Sequence, residues 1–506
     1  MPVSHLITIY LISILIVFLP SFGLAKMFAK AGIPEWKAYV PFYNTWVMQE
    51  TAQRPKHWVF WQFIPVVGWF ISPGIFIEFV KLYGRFRLRE HTMAALFAPL
   101  YFPYLGYSPK IHYIGVEGAK RYMKPGWREW VDAAIFAIVA ATLIRTFVFE
   151  AYTIPSGSME KTLLINDFLF VSKSSYGPRI PNTPLSIPFV HNYIPGTHLK
   201  SYSELIRLPY IRWFKSPVKR GDVVVFNFPA GDTVINRDEF QSKVPYYDVK
   251  RIALTQPNHP DYQTYRYVLE NPDDYPLAVH PPDKTDNYIK RCVGVAGDWL
   301  EVKNNVVYTN GQQEANPPRS FVQYKVVSAQ QTPDLTLLEK TYGVKETDID
   351  FATGYWFLTI EARERLLKDG IIKSAMATDL DDRNVFPFDG IHNWTRNNFG
   401  KVWIPKKGAS LELTPENYAI YERAIKVYEH NQLEMRNGQF ILNGQPATSY
   451  TFKMDYFWMM GDNRMGSQDS RYWGFVPEDR IVGKAWLIWF SWEGGPRWSR
   501  LFKTVK

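Results

Sequence analysis

The run from Val131 to Phe149 constrains the fold of this chain more than any other stretch. It is long enough to cross the hydrocarbon core of a bilayer. Backbone N–H and C=O groups find no water there, so a single segment must satisfy them internally as a helix. An anchor helix over 130–150 is therefore expected, with Arg145 reaching back to the interface. After it the chain changes character. From Thr153 onward, apolar runs give way to short alternating segments bounded by Gly, Pro, Asn and Asp. Period-two alternation is the pattern of half-buried strands, so a β-rich body is expected to follow the anchor.

Three further apolar stretches precede it, near 6–25, 58–80 and 93–107. The first is span-length and largely unbroken, without a convincing small-residue cleavage pattern after it, and is expected to be a second membrane span rather than a cleaved leader. The second carries Gln62, Pro65, Pro73 and Glu78, and the third is short and contains Pro99 and Pro103, so both are expected to be spans or hairpins dipping into the membrane. The loops 26–57, 81–91 and 108–129 are all basic. Two full spans with two hairpins entering from the cytoplasmic side keep every basic loop inside and place the body after Phe149 outside. The same loops account for much of the net charge of +10, so the excess points to membrane topology and not to nucleic acid. With 506 residues, 46% of them hydrophobic, the chain has room for more than one core.

Within the body, Leu163–Ser172, Asp222–Phe228, Tyr288–Val295, Trp299–Val302, Val306–Asn310, Gln439–Leu442, Tyr456–Met460 and Ala485–Trp492 read as strands. Asn304-Asn305, Asn310-Gly311, Asn437-Gly438 and Asn443-Gly444 are hairpin turns, because both central positions of such turns take positive φ. Helical patterns occur at Glu361–Lys368 and at Thr414–Glu429, the latter opened by Thr414-Pro415-Glu416 as cap, first position and acidic first turn. The expected fold is thus N-terminal transmembrane helices plus a mainly-β body of coiled antiparallel sheets with an α+β cap insert. Its expected parts are a membrane region at 1–129, the anchor at 130–150, a catalytic β-domain from 151–311 and 437–492, an inserted cap at 312–436 and a basic tail at 493–506.

The chemistry gathers at Ile154-Pro155-Ser156-Gly157-Ser158-Met159, directly after the anchor. A serine hydroxyl is a weak nucleophile that needs a base and oxyanion donors. Gly157 allows a tight turn from which one hydroxyl projects. Lys290 lies on the apolar strand Tyr288-Ile289-Lys290-Arg291-Cys292-Val293. If it is buried there, desolvation disfavours its charged form and a neutral amine can take the serine proton. His191, His198, His259 and His280 lie in polar inserts without a suitable acid or serine partner, and no metal-ligand spacing is present, so no metal or cofactor is expected. A third cluster, Gly461-Asp462-Asn463-Arg464 with Ser467, Asp469, Ser470, Arg471, Tyr472, Trp473 and Gly474, can pin a turn by internal ion pairs. The lone Cys292 allows no intrachain disulfide, and small core packing is the favoured reading of it.

Taken in order, the anchor with Ile154–Met159, then Arg220-Gly221-Asp222-Val223, Tyr288-Ile289-Lys290-Arg291 and Gly461–Gly474 resemble the sequence boxes of bacterial type I signal peptidases. The resemblance implies Ser158 as nucleophile and Lys290 as its general base, with Ser467 orienting the lysine and the Ser156 hydroxyl joining the Ser158 N–H in the oxyanion hole. It also implies structural ion pairs of Arg291 with Asp462 and Asp469 with Arg471. Ile154, Pro155, Met159, Leu163, Tyr288 and Ile289 would line shallow pockets for small side chains at the first and third positions before the cut. The implied substrates are secretory preproteins, and the implied location is the bacterial cytoplasmic membrane, in contact with lipid, with the catalytic body on the outer face. One departure stands beside the nucleophile: Lys161 replaces the proline commonly found two residues after the Met.

Two other readings compete. Ser158-Met159-Glu160-Lys161 spells the SxxK pattern of penicillin-binding acyltransferases, whose serine and lysine share a helix and whose Ser-Asp-Asn and Lys-Thr-Gly companions are not found. The other is a non-catalytic, membrane-anchored binding or assembly protein on the same fold.

Overall fold

The computed structural model describes residues 3–505 apart from 65–66, 198, 315–316, 318, 331–332 and 379–381, so Pro65 and His198 lie outside the described residues. The chain forms two compact units, Met1–Ile144 and Arg145–Lys506.

In the first unit the largely unbroken stretch expected as a span over 6–25 is two helices, Val3–Phe18 and Ser21–Lys30. Their axes bend by 42° at the break. The cause is Pro20, which has no N–H to continue the ladder and whose ring clashes with the preceding turn. The 58–80 stretch holds the helices Trp58–Trp61 and Val67–Lys81, and the 93–107 stretch ends Leu88–Leu96 and contains Ala98–Tyr107. Among the described residues only Gly126–Phe147 is a single helix long and apolar enough to cross a membrane, and the bent pair makes a second only if it counts as one broken span. Trp130 and Phe136 on Gly126–Phe147 are 80% and 74% exposed. The short helices instead pack on one another. A Cβ on Gly23 would lie 2.0 Å from the Pro103 nitrogen and one on Gly106 would lie 2.5 Å from the Gly23 oxygen, so Ser21–Lys30 and Ala98–Tyr107 touch backbone to backbone. Leu24, Phe28, Phe76, Phe79 and Phe102 fill the core around that crossing.

The second unit is mainly β, built of antiparallel sheets. The largest runs in the order Phe149–Thr153, Asp167–Ser172, Ile481–Ser491, Val223–Asn227, Asn287–Gly294, Tyr456–Met460 and Val476–Pro477, with Lys503–Thr504 beside the long strand. Its central strand is buried on both faces. Val223 and Val225 join Ile154, Met159, Leu163 and Leu169 on one side, while Val224 and Phe226 join Cys292, Phe457 and Met459 on the other. Cys292 therefore serves as core, and burial pushes its thiol well above the usual range. The expected strand at Leu163–Ser172 begins only at Asp167, and the one expected from Ala485 begins at Ile481. The hairpin turns behave as read: Asn304, Asn305, Asn310, Gly311, Asn437, Gly438, Asn443 and Gly444 all have positive φ.

The 312–436 stretch contributes strands to four sheets, two of them through the short strands Ser410–Glu412 and Leu433–Arg436. Phe399–Trp403 pairs with Trp299–Lys303, extending the hairpin that follows the lysine strand. Residues 321–377 make a sheet of their own, ordered Ile349–Asp350, Tyr355–Thr359, Phe321–Ser328 and Ile372–Ala377. The helix Ile360–Lys368 covers it, and Val322, Tyr324, Leu338, Trp356, Leu358 and Leu366 form its own core.

Candidate active site

Three segments far apart in sequence converge on Ser158. The first is the turn itself. Ile154 still belongs to the ladder, donating to the Asp167 carbonyl and accepting from the Asn166 N–H at 2.9 Å each. Ser156 remains extended, and Gly157–Met159 then forms one 3-10 turn. The glycine is not what permits it. Gly157 has no positive φ, and a Cβ there would meet only Glu160 Oε2 at 3.6 Å, an ordinary contact. The conformationally demanding positions come just after: Lys161 has φ 70° and Asn166 has φ 61°.

The second segment is the strand Asn287–Gly294, which pairs with Val223–Asn227 so that Lys290 lies opposite Val224. Lys290 is 4% exposed and Ser158 8%. The lysine Nζ donates to Ser158 Oγ at 2.7 Å and to the Ile289 carbonyl at 3.0 Å. Burial lowers its pKa to about 8, opposed by the carboxylates of Asp469 and Asp462. A substantial fraction of the amine is thus neutral slightly above physiological pH, one hydrogen bond from a serine hydroxyl.

The third segment is the loop after Tyr456–Met460. Gly461 is where a side chain cannot be tolerated: a Cβ would lie 2.2 Å from Ser467 Oγ and 2.5 Å from the Ser158 carbonyl oxygen. Its bareness lets the loop lie against Ser158. Asn463 then holds the turn twice, donating its backbone N–H to the Ser158 carbonyl at 3.2 Å and its Nδ2 to the Gly157 carbonyl at 3.0 Å. Asp462 is fully buried and accepts from Arg291 Nε and Nη2 at 2.8 and 2.6 Å and from Thr162 Oγ1 at 2.6 Å. A bidentate guanidinium and a hydroxyl leave that carboxylate satisfied in the interior. Asp469 and Arg471, both fully buried, pair through two 2.8 Å bonds, and Asp469 also accepts from the Gly461 N–H at 3.0 Å. Gly461 is thereby held from behind while it presses on Ser158 in front.

The other expected site residues take these places. Ser467 is buried beside Gly461, and its hydroxyl bonds the Gln468 carbonyl at 3.4 Å, not Lys290. Ser156 is exposed. Ile154, Met159 and Leu163 are buried in one cluster, with Ile289 packed against it. Pro155 is exposed. Tyr288 belongs to the opposite cluster, stacked on Phe228 with its hydroxyl on the Ser242 carbonyl at 2.9 Å, although Lys290 Nζ lies 5.5 Å from its ring centre. His191 and His280 bond the Thr285 carbonyl and the Tyr202 hydroxyl, both at 3.0 Å, in structural roles. Lys161, the lysine of the SxxK pattern, bonds Asp348 at 2.7 Å, and Ser158 stands on a 3-10 turn, not on a helix. That arrangement is unlike a penicillin-binding site. Among the described residues no cluster of three His, Cys, Asp or Glu is placed to hold a metal. Sequence reading did not find Thr162, Asn463 and Asp348 as supports of the site. Asn463 sits inside the Gly461–Gly474 cluster, but nothing local marks Asp348.

The family model described as signal peptidase, peptidase S26, matches residues 127–354 and 408–492, more than half of the chain. The chain belongs to this signal peptidase family. A second model, described as a family of unknown function, matches residues 36–116. Signal peptidase I of Haemophilus influenzae is 27% identical over 387 residues, covering 74% of this chain and 75% of that protein. Signal peptidase I of Buchnera aphidicola subsp. Schizaphis graminum is 26% identical over 69% of this chain and 71% of its own length. Signal peptidase I of Aquifex aeolicus is 24% identical, over 72% and 84%. As a member of the peptidase S26 family the chain is an enzyme, a serine peptidase of the hydrolase class, and signal-peptide removal is the activity that membership supports.

Proposed function

We propose that the chain removes signal peptides from exported preproteins with Ser158 as nucleophile and Lys290 as general base. The observation that carries this reading is the 2.7 Å bond between a buried lysine amine and the serine hydroxyl. In its neutral form the amine accepts the Ser158 proton as Oγ attacks the scissile carbonyl, forming the C–O bond. The resulting oxyanion is met by the Ser158 N–H and the exposed Ser156 hydroxyl. The lysine then returns the proton to the leaving amine as the C–N bond breaks. A water activated by the same amine releases the acyl group from Ser158.

Ile154, Met159, Leu163 and Ile289 form the apolar wall beside Ser158, and a densely filled wall favours small substrate side chains before the cut. Ser467 packs beside Gly461 and supports the loop there. The Arg291–Asp462 and Asp469–Arg471 pairs hold the loop that grips the turn and do not react. The helix Gly126–Phe147 anchors the chain in the bacterial cytoplasmic membrane with the β body on its outer face. Ser158 follows that helix by only eleven positions, which keeps the reaction close to the lipid surface where a signal peptide emerges.

The test is cleavage of a model preprotein by the full chain in lipid vesicles, beside Ser158→Ala and Lys290→Ala. Both variants are expected to lose processing while remaining folded. Near-normal cleavage by either would overturn the assignment.

A further inference from the structure

Lys161, three residues beyond the nucleophile, is held at φ 70°, a left-handed conformation that is unfavourable for a residue with a side chain. Such strain persists where the surroundings over-determine it. Here the surroundings are the separate sheet over 321–377 and the residues leading into it. Asp348, the last residue of the 3-10 turn that leads into that sheet's edge strand, bonds Lys161 Nζ at 2.7 Å with both side chains largely buried. The Phe321 ring lies under the same ammonium at 4.6 Å. Arg319 Nη1 donates to the Lys161 carbonyl at 3.4 Å.

The same sheet also holds the other side of the turn. Phe321 donates its N–H to the Asp462 carbonyl at 2.8 Å and accepts from the Arg464 N–H at 3.0 Å. Asn463, between them, is the residue that holds the Ser158 and Gly157 carbonyls. One packed body, with its own core, thus grips the nucleophile turn from both ends of the 158–161 segment.

We propose that the Lys161–Asp348 pair is a positioning device through which the 321–377 sheet sets the reactive geometry of Ser158 against Lys290. It rests on the assignment of those two residues above. The turn downstream of Ser158 is closed by the Thr162 and Leu163 N–H groups, which donate to the Met159 carbonyl at 3.1 and 2.8 Å. Releasing Lys161 lets its φ relax to the ordinary region and pulls on that turn, moving Ser158 Oγ relative to the amine. Misplacement by a fraction of an ångström lowers turnover while leaving substrate binding to the apolar wall.

The experiment is preprotein cleavage by the full chain in vesicles, comparing wild type, Ser158→Ala, Asp348→Asn, Asp348→Glu, and Asp348→Asn combined with Lys161→Gln. Asp348→Asn keeps the size of the side chain and its backbone contact, so folding is preserved, and a thermal midpoint checks it. Expected are a kcat about tenfold lower in Asp348→Asn with KM within twofold of wild type, recovery in Asp348→Glu, and a double variant no worse than the single. The acid limb of the rate profile should also move to higher pH as water reaches Lys290. Wild-type kcat in Asp348→Asn, a loss confined to KM, or multiplying losses in the double variant would overturn the proposal alone, provided wild type cuts and Ser158→Ala does not. Cleavage by Ser158→Ala, or none by wild type, would overturn the site assignment and this inference with it.

Discussion

Replacing Lys290 with Met should make the protein more stable while abolishing its activity. Burial moves the amine from the ordinary 10.5 to about 8, which corresponds to about 3 kcal/mol of penalty on the charged form. The folded value lies below the unfolded one. The penalty is therefore fully present below pH 8, shrinks as pH rises through the window between 8 and 10.5, and is gone above it. Methionine has a similar length and flexibility and no charge to desolvate. It loses the bonds to Ser158 Oγ and the Ile289 carbonyl, together about 1–2 kcal/mol. The net gain at neutral pH is about 1–2 kcal/mol, or roughly 3 °C in a large domain. Thermal midpoints of full-length wild type and Lys290→Met in one detergent, at pH 7 and pH 10, measure it. Expected are a higher midpoint for the variant at pH 7, a narrower gap at pH 10 and no preprotein cleavage. A variant less stable than wild type at pH 7 would show that the lysine is not a strained, desolvated group and would refute the reasoning.

Gly461→Ala should lower kcat about a hundredfold, because its Cβ would sit 2.5 Å from the Ser158 carbonyl and 2.2 Å from Ser467 Oγ, and a shift approaching 1 Å at a reacting group has that scale of effect. A single-turnover assay reads it, and a loss below twofold would mean the loop does not bear on the nucleophile. Asp469→Ala should destabilise the protein by about 3–5 kcal/mol, since Arg471 is fully buried and loses both of its carboxylate bonds. Chemical denaturation that finds less than about 1 kcal/mol would contradict the buried-pair account.

Much of the candidate site's geometry was legible because the boxes carry its residues, and Ser158 with Lys290, Arg291 with Asp462, and Asp469 with Arg471 meet in space. The strands were legible where alternation and Asn-Gly turns bound them. They were not where a side chain at a turn imitates a strand residue. Leu163 to Asn166 reads as strand, but the Asp167 carboxylate accepts from the Leu164 N–H at 2.8 Å and Asn166 turns left-handed, so pairing starts late. The opposite error occurs at Gly483, which lowers the strand signal although its bareness is what allows contact with the Ser172 carbonyl, 2.6 Å from where a Cβ would be. Apolar composition within 6–25 hid the break at Pro20, which divides the stretch into two helices bent by 42°. The Lys161–Asp348 pair was invisible because its partners stand 187 positions apart, and no local pattern records such a contact.

The central claim is that a neutral buried lysine activates Ser158, and the rate profile of preprotein cleavage against pH tests it most directly. With the amine at about 8, kcat/KM of wild type should rise about tenfold per pH unit up to pH 7, bend near pH 8 and level off above it. A profile flat from pH 6 to 9, or one whose midpoint lies near 4 or 6.5 as for a carboxylate or histidine base, would contradict the account.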